Sequence, residues 1–270
     1  MPQEWQPAVH PAAARGFDAA ADAYERTRPD YPDEVLAVLA DVLDLGPGRV
    51  VVDVGAGTGK LSRRLVETGA RVVAVEPVAG MRTLLREVLP DLEIRAGFAE
   101  ALPLGQAEAD AIVAAQAFHW FDGEAALAEW HRVLHPGGRL GLVWNVRDEA
   151  ADWVSHVTAL IDRYAGTTPR YRTGAWRQPF SSQRWFGPLH HRRLSNPQRL
   201  TLEAIVERVS SISFIAALDG PARSRVLSRV RELLDTHPET RGRRELVLPQ
   251  VVDLYWAERR SAGATREEPS

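Results

Sequence analysis

Val50-Val51-Val52-Asp53-Val54-Gly55-Ala56-Gly57-Thr58-Gly59-Lys60 is the stretch from which the rest of the chain is read. Its first half is a short run of β-branched residues, suited to a strand buried on both faces. Its second half is a glycine turn, with a helical pattern opening behind it at residues 61–68. A strand that ends in glycines ahead of a helix is a place where backbone can approach a ligand closely. Working outward, Val72-Val73-Ala74-Val75 is a second apolar run, followed by a helix near residues 81–89. Residues 92–95 predict a short third strand and 109–115 a fourth, with a helix over 123–134 behind it. Pro136-Gly137-Gly138 then turns into a fifth run, Leu140-Gly141-Leu142-Val143-Trp144. Upstream, Val35, Leu36, Val38, Leu39, Val42 and Leu43 form one helical stripe that Gly46-Pro47-Gly48 stops. Strand and helix alternating at this spacing predict right-handed βαβ units on a parallel sheet, an α/β doubly wound fold.

Beyond residue 150 the rhythm changes. Leu202, Ile205, Val206, Val209 and Ile212 predict one amphipathic helix, and Val226, Leu227, Val230, Leu233 and Leu234 another. Strand-like segments at 189–194 and 246–256 flank the pair. The economical reading adds both segments to the same sheet, making about seven mainly parallel strands, with the helices inserted between them as a cover. Residues 1–32 then read as an N-terminal arm or cap with a short helix near 16–26, residues 33–150 as the core, and 151–260 as a C-terminal part completing the sheet. Residues 261–270 read as a disordered tail.

The composition fits a soluble globular chain: 270 residues, 45% hydrophobic and 26% charged. There is no cysteine, which excludes disulfides, thiolate catalysis and cysteine-ligated metal sites. A formal charge of −3 gives no general drive toward nucleic acid, even with local basic faces at 223–231 and 241–244. No apolar run approaches the roughly 20 residues that span a bilayer. The N-terminus lacks a secretory pattern, so the expected location is cytoplasmic, with no membrane partner. The sequence leaves the oligomeric state open.

Three ligand chemistries compete for the glycine turn. A nucleoside triphosphate cradle would need glycine where Val54 stands and a hydroxyl where Leu61 stands. A nicotinamide or flavin dinucleotide would accept Gly55 and Gly57, but needs a third glycine where Lys60 stands. Glu76, 21 positions beyond Gly55, suits any ligand with a free ribose diol. Asp53 discriminates, because a carboxylate beside the turn repels a pyrophosphate and attracts an ammonium or sulfonium. S-adenosylmethionine is such a ligand.

On these residues the chain resembles the class I S-adenosylmethionine-dependent methyltransferases. Asp53-Val54-Gly55-Ala56-Gly57-Thr58-Gly59 looks like their first motif, and Glu76-Pro77 like their ribose-binding acid. Ala96-Gly97-Phe98-Ala99-Glu100-Ala101-Leu102-Pro103 resembles the adenine-side loop. Gln116-Ala117-Phe118-His119-Trp120-Phe121-Asp122 and Leu134-His135-Pro136-Gly137-Gly138 follow in the order expected around strands four and five. The stretch Tyr24-Glu25-Arg26-Thr27-Arg28-Pro29-Asp30-Tyr31-Pro32 is similar to the N-terminal cap of the small-molecule branch that includes trans-aconitate methyltransferase-like proteins. The resemblance implies a Rossmann-like fold, S-adenosyl-L-methionine as cofactor, S-adenosyl-L-homocysteine as product and a small-molecule acceptor. It departs at Phe98, where many relatives carry an acid, so that backbone near Ala99 or ring packing by Phe98 would have to serve the adenine.

The resemblance distributes roles. Asp53, Gly55, Ala56, Gly57, Gly59, Glu76, Pro77, Phe98, Ala99 and Gln116 fall on the cofactor side. Asp53 either holds the cofactor's amino end or bonds the turn. Tyr24, Arg28 and Tyr31 form a possible lid, with Arg28 and Tyr24 toward the cofactor and Tyr31 toward the acceptor. Trp120 and Arg147 line the acceptor pocket, Arg147 facing either an anionic acceptor or solvent. His119 is the candidate catalytic residue: either a general base, needed where a hydroxyl or amine must lose a proton, or one panel of an aromatic wall. His131 and His135 lack a third ligand, and His190-His191 would point to opposite faces of a strand, so no metal is assigned. The rival readings are an NAD(P)-dependent oxidoreductase and a non-catalytic cofactor-binding protein.

Overall fold

The molecule is described from a computed structural model, over residues 29–261. The proposed arm helix at 16–26, Tyr24, Arg28 and the tail beyond Ser261 lie outside the described residues.

The apolar runs form the strands that their periodicity predicts. Helix α1 (Asp33–Leu43) buries Val35, Val38, Leu39 and Leu43, and ends where Asp44 takes a left-handed conformation (φ 54°). Strand β1 (Val50–Val54) leads through the glycine turn into α2 (Lys60–Val66), then β2 (Arg71–Val75), α3 (Ala79–Val88), β3 (Glu93–Arg95) and β4 (Ala109–Ala115). Helix α4 (Gly123–Val133) starts at Asp122, whose side chain accepts a hydrogen bond from the Ala125 N–H at 3.2 Å. Strand β5 (Leu134–Arg147) is longer than its apolar run, because Leu134 already pairs with Ala109 across a register shift.

The C-terminal part departs from expectation in three respects. A helix that the sequence reading passed over, α5 (Asp152–Asp162), buries Trp153, Val154, Val157 and Ile161. After the short α6 (Gln178–Ser182) and strand β6 (His190–Ser195), strand β7 (Gln198–Thr201) belongs to a separate two-stranded sheet. Helices α7 (Leu202–Ser210), α8 (Ser213–Ala216) and α9 (Gly220–Thr236) follow. The segment read as one strand over 246–256 is two, β8 (Glu245–Leu248) and β9 (Gln250–Glu258), separated at Pro249. Proline has no N–H to give a ladder, so the chain can change partners there: β8 pairs with β7, and β9 with β5 and β6.

The main sheet has seven strands in the order β3-β2-β1-β4-β5-β9-β6, and its first five are mutually parallel. Strand β9 runs antiparallel to both neighbours. Leu39, Leu43, Leu61 and Leu65 pack one face, while Phe118, Trp130, Trp144 and Phe186 pack the other. Helices α5, α7 and α9 share a third cluster with Ile205, Val226, Val230 and Leu234. Strand order reverses between β1 and β4, and the crevice beyond the carboxyl ends of those strands is where this architecture receives a ligand. No described helix is long and apolar enough to cross a membrane.

Candidate functional site

The three turn glycines all have positive φ, at 70°, 58° and 87° for Gly55, Gly57 and Gly59, but they do different things. A Cβ on Gly55 would stand 2.9 Å from the Ala117 Cβ, so this residue lets the turn lie against the end of β4. A Cβ on Gly59 would run into Leu85 of α3, so this glycine serves helix packing. A Cβ on Gly57 would meet nothing within 4 Å. That open space is where a ligand can touch backbone.

Glu76, at the end of β2, braces this turn. One carboxylate oxygen accepts the Gly57 N–H at 2.9 Å and the other accepts the Val78 N–H at 2.8 Å. Burial pushes its carboxyl above the usual range, and the two backbone donors oppose that. A carboxylate offers about four acceptor positions, so two stay open beyond those bonds. Asp53 is more deeply buried. Its Oδ2 accepts the Ser62 hydroxyl at 2.6 Å, while Oδ1 is a buried oxygen with no hydrogen-bond partner. Its carboxyl is pushed up to about 7, first by burial and further by Glu76, with Ser62 acting in the opposite sense. Asp53 therefore bonds α2 rather than the turn backbone, and keeps one oxygen for something else.

On the adenine side, the half-buried Phe98 bridges to Ala101, and the Ala99 carbonyl accepts the Trp130 indole N–H at 3.1 Å. Glu100 is taken up by the Asp122 N–H at 2.8 Å. Arg82 donates to the carbonyls of Glu76 and Pro77 at 2.8 Å each, and so fixes the strand end.

Eight of the predicted residues line a single cavity: Tyr31, Gly55, Ala56, Gly57, Gln116, His119, Trp120 and Arg147. Asp53, Gly59, Glu76, Pro77, Phe98 and Ala99 stand outside its lining. Gln116 has φ 58°, unusual for a residue with a side chain, and its N–H is tied to the Val143 carbonyl at 2.8 Å. That kink throws the chain into a 3₁₀ turn, Phe118–Trp120, which carries His119 to the cavity wall. There the His119 Nδ1 accepts the Trp144 indole N–H at 3.2 Å.

Sequence reasoning missed other parts of the lining. Lys60, Arg170, Tyr171, Arg172 and Arg208 also line the cavity, and no described lining residue is a carboxylate. Arg170 pairs with Asp162 at 2.8 Å and Arg172 with Glu149 at 3.0 Å. Arg208 is only 6% exposed and donates to Gln250 at 3.1 Å and to Gln198. On α7 it reads as an ordinary polar-face residue, and only the packing of β9 and β7 around it shows that it points inward.

Three of the four histidines weighed as metal candidates have other partners. The His131 Nε2 lies 3.2 Å from the Arg260 carbonyl, His190 stacks on Trp256, and the His191 Nε2 lies 2.7 Å from Asp253. A different group, Asp152, His156 and His237, brings ligand atoms within 4.8 Å of one another. The His237 Nδ1 accepts the Glu239 N–H at 3.2 Å, so its Nε2 carries the proton given to Asp152 at 3.0 Å. That is a hydrogen-bonded latch between α5 and the end of α9, with its imidazole in the wrong tautomer to ligate a metal.

Comparison with known proteins fits this layout. The methyltransferase domain family matches residues 52–142, from β1 into β5. An uncharacterized methyltransferase of Mycobacterium tuberculosis strain H37Rv is 42% identical over 236 residues, spanning 87% of this chain and 92% of that protein. An uncharacterized methyltransferase-like protein of Schizosaccharomyces pombe is 31% identical over 240 residues, 88% of this chain and 93% of that one. The solved YcgJ protein of Bacillus subtilis superposes with a TM-score of 0.57 at 18% identity, over 86% of this chain and 100% of that one. A phosphoethanolamine N-methyltransferase of Haemonchus contortus, solved with phosphomonomethylethanolamine and S-adenosylhomocysteine, superposes at 0.51 and 15% identity, over 89% and 57%. At those identities the two structures are alike in fold alone. With the glycine turn, the sheet order and 42% identity over nearly the whole of a relative, the chain belongs to the class I methyltransferase family.

Proposed function

We propose that the protein uses S-adenosyl-L-methionine to methylate a small molecule of the kind handled by the trans-aconitate methyltransferase-like branch, with a carboxylate or hydroxyl oxygen as acceptor. The observation that carries this is the cavity itself, with a glycine turn on one side and Lys60, Arg147, Arg170, Arg172 and Arg208 around the rest. Five cationic side chains with no described carboxylate among the lining suit an anionic acceptor, even with Lys60, Arg170 and Arg172 paired to Asp30, Asp162 and Glu149, and favour a carboxylate over a neutral hydroxyl.

The residues present fit the cofactor. The orphaned Asp53 Oδ1 suits an ammonium or sulfonium, the space over Gly57 suits close backbone contact, and the open acceptor positions of Glu76 suit a ribose diol. When bound, the cofactor supplies a methyl group on an activated sulfonium and leaves as S-adenosyl-L-homocysteine. The chain's share is positioning: the turn and Glu76 hold one partner, the arginines hold the other, and the aromatic residues His119, Trp120 and Tyr171 keep water out of the line of transfer. A carboxylate acceptor has no proton to lose, so no base is required. A nicotinamide dinucleotide is not favoured, since Lys60 stands at the third glycine position and Asp53 would face a pyrophosphate.

Calorimetry with S-adenosylmethionine and S-adenosylhomocysteine should give micromolar binding, and NADH fluorescence should not change on mixing. A mass-spectrometric screen for the gain of one CH₂ across carboxylic acids, phenols and amines then identifies the acceptor. No heat with either nucleoside would overturn the cofactor assignment. Binding without transfer to any acceptor would favour the non-catalytic reading.

A further inference from the structure

We propose that Asn145 and Gln250 form the subsite that selects the acceptor, presenting two amide N–H₂ groups that grip a carboxylate end and turn away an amine. A carboxamide can face a ligand with its oxygen or with its nitrogen. In both of these side chains the oxygen is already claimed by a group that can only donate.

Asn196 decides the first orientation. Its Nδ2 donates to the Asp30 carbonyl at 3.1 Å, and because a carbonyl can only accept, the Asn196 atom there is the nitrogen. The same Nδ2 lies 2.7 Å from the Asn145 side chain, whose facing atom must therefore be Oδ1. Arg208 decides the second, since its Nη1 donates to the Gln250 side chain at 3.1 Å and a guanidinium never accepts. The Asn145 Nδ2 and the Gln250 Nε2 are what remain. Neither donates to another group among the described residues, and both residues line the cavity. Gln250 is only 6% exposed, and an amide N–H₂ without a partner in such a place is costly until a ligand or water satisfies it.

The sheet brings the two amides together and holds them. Gln250 on β9 is the cross-strand partner of Arg147 on β5, and Asn145 precedes Arg147 by two residues, so both amides lie on one face. Asn196, just past β6, clamps the pair: its backbone N–H donates to the Gln250 carbonyl at 2.8 Å while its side chain holds Asn145. Gln198 on β7 accepts from Arg208 and keeps that guanidinium in place. A third lining amide, Gln116, is turned the other way. Its Nε2 donates to the Asn145 carbonyl at 3.4 Å, which leaves an oxygen at the end of β4.

The cations of the cavity do not make this selection by themselves, because Lys60, Arg170 and Arg172 are paired with Asp30, Asp162 and Glu149. Neutral donors of fixed orientation add what a compensated charge lacks, a direction. The orientation of the amides stands on this geometry. That the group they hold belongs to a methyl acceptor rests on the methyl-transfer reading above.

The deciding experiment is a titration followed in ¹H–¹⁵N spectra of the full chain, with and without S-adenosylhomocysteine. The two N–H₂ pairs are assigned by their loss in Asn145→Asp and Gln250→Glu, each of which keeps the oxygen that accepts from Asn196 or Arg208. The probes are linear dicarboxylates of three to six carbons and linear diamines of the same lengths. At least one dicarboxylate should move both pairs downfield in ¹H, and no diamine should. If every dicarboxylate leaves them in place, or a diamine moves them as far, the proposal is overturned. For an acid that gains mass in the methylation screen, either variant should raise KM by roughly 10- to 100-fold, the loss of one hydrogen bond to a charged group, with kcat little changed. An unchanged KM in both variants would refute the subsite. If no acid is methylated, the proposed reaction fails while the titration still decides what the amides bind.

Discussion

Asp53→Asn separates stability from binding at the glycine turn. The wild-type carboxyl is buried, keeps one oxygen without a hydrogen-bond partner, and is pushed from 3.8 up to about 7 by that burial, with Ser62 opposing and Glu76 adding to it. A carboxyl held that high costs the folded state up to about 4 kcal/mol at neutral pH relative to an unfolded chain that ionises freely. The sign follows from the raised value: the stability is fully present below about pH 4 and is lost as the pH rises toward 7. Asparagine keeps the acceptor for the Ser62 hydroxyl and cannot ionise. It also buries an amide N–H where Oδ1 now lies, at a cost of about 1–3 kcal/mol. The net expectation is a ligand-free variant about 2 kcal/mol more stable at pH 7, or roughly 4–8 °C in Tm. Its stability should also change far less than that of the wild type between pH 4 and 7. Urea and thermal unfolding of both proteins across that range measure this. In the same variant, calorimetry should show weaker binding of S-adenosylmethionine, because a carboxyl that can ionise beside a cationic ligand is gone. Parallel pH profiles for the two proteins, or a less stable variant at pH 7, would refute the reasoning.

Other substitutions test the remaining parts of the site. Glu76→Gln must turn its amide N–H₂ toward either Gly57 or Val78, both of which donate; stability should fall by about 1–3 kcal/mol and S-adenosylhomocysteine affinity by roughly 10- to 100-fold, read by thermal unfolding and calorimetry. Gly57→Ala meets nothing within 4 Å, so it should cost only the left-handed backbone strain of about 1 kcal/mol while cutting cofactor affinity sharply. Gly55→Ala, which would press on Ala117, should destabilise the ligand-free protein by about 1–3 kcal/mol more than that. Asp253 is pushed up by burial, but its bonds from Arg193, Tyr171 and His191 hold its carboxyl below the ordinary value on balance. Its contribution is therefore present above about pH 4 and lost as the pH falls through its lowered folded value. Asp253→Ala should cost about 2–3 kcal/mol at pH 7, less than a fully enclosed pair because Arg193 and His191 are largely exposed, and should flatten the acid limb of the stability curve.

Much of the site was legible because it sits where local pattern and chemistry coincide. Gly55, Ala56 and Gly57 follow a strand with no intervening residue, so their placement needed only the strand to be recognised. Gln116, His119, Trp120 and Arg147 lie just past β4 and β5, and strand ends share one edge of a parallel sheet. Gly59 fitted the pattern equally well yet faces Leu85, since spacing alone does not distinguish a glycine that admits a ligand from one that admits a helix. Helix α5 was legible and missed: Trp153, Val154, Val157 and Ile161 carry a helical stripe. The β8–β9 division turned on Pro249 inside an otherwise continuous apolar run.

By itself the sequence determined the alternation of strand and helix, the turn after β1 and the exclusion of cysteine chemistry, because each depends on residues adjacent in the chain or on composition. Only the tertiary structure decided what faces what. Arg208 reaches the cavity from a helix more than 140 residues beyond the turn, Glu76 divides its oxygens between Gly57 and Val78, and Trp144 on one strand claims the basic nitrogen of His119 from the next. These are contacts between groups distant in sequence, fixed by strand register and burial, and it is burial above all that raises the Asp53 carboxyl.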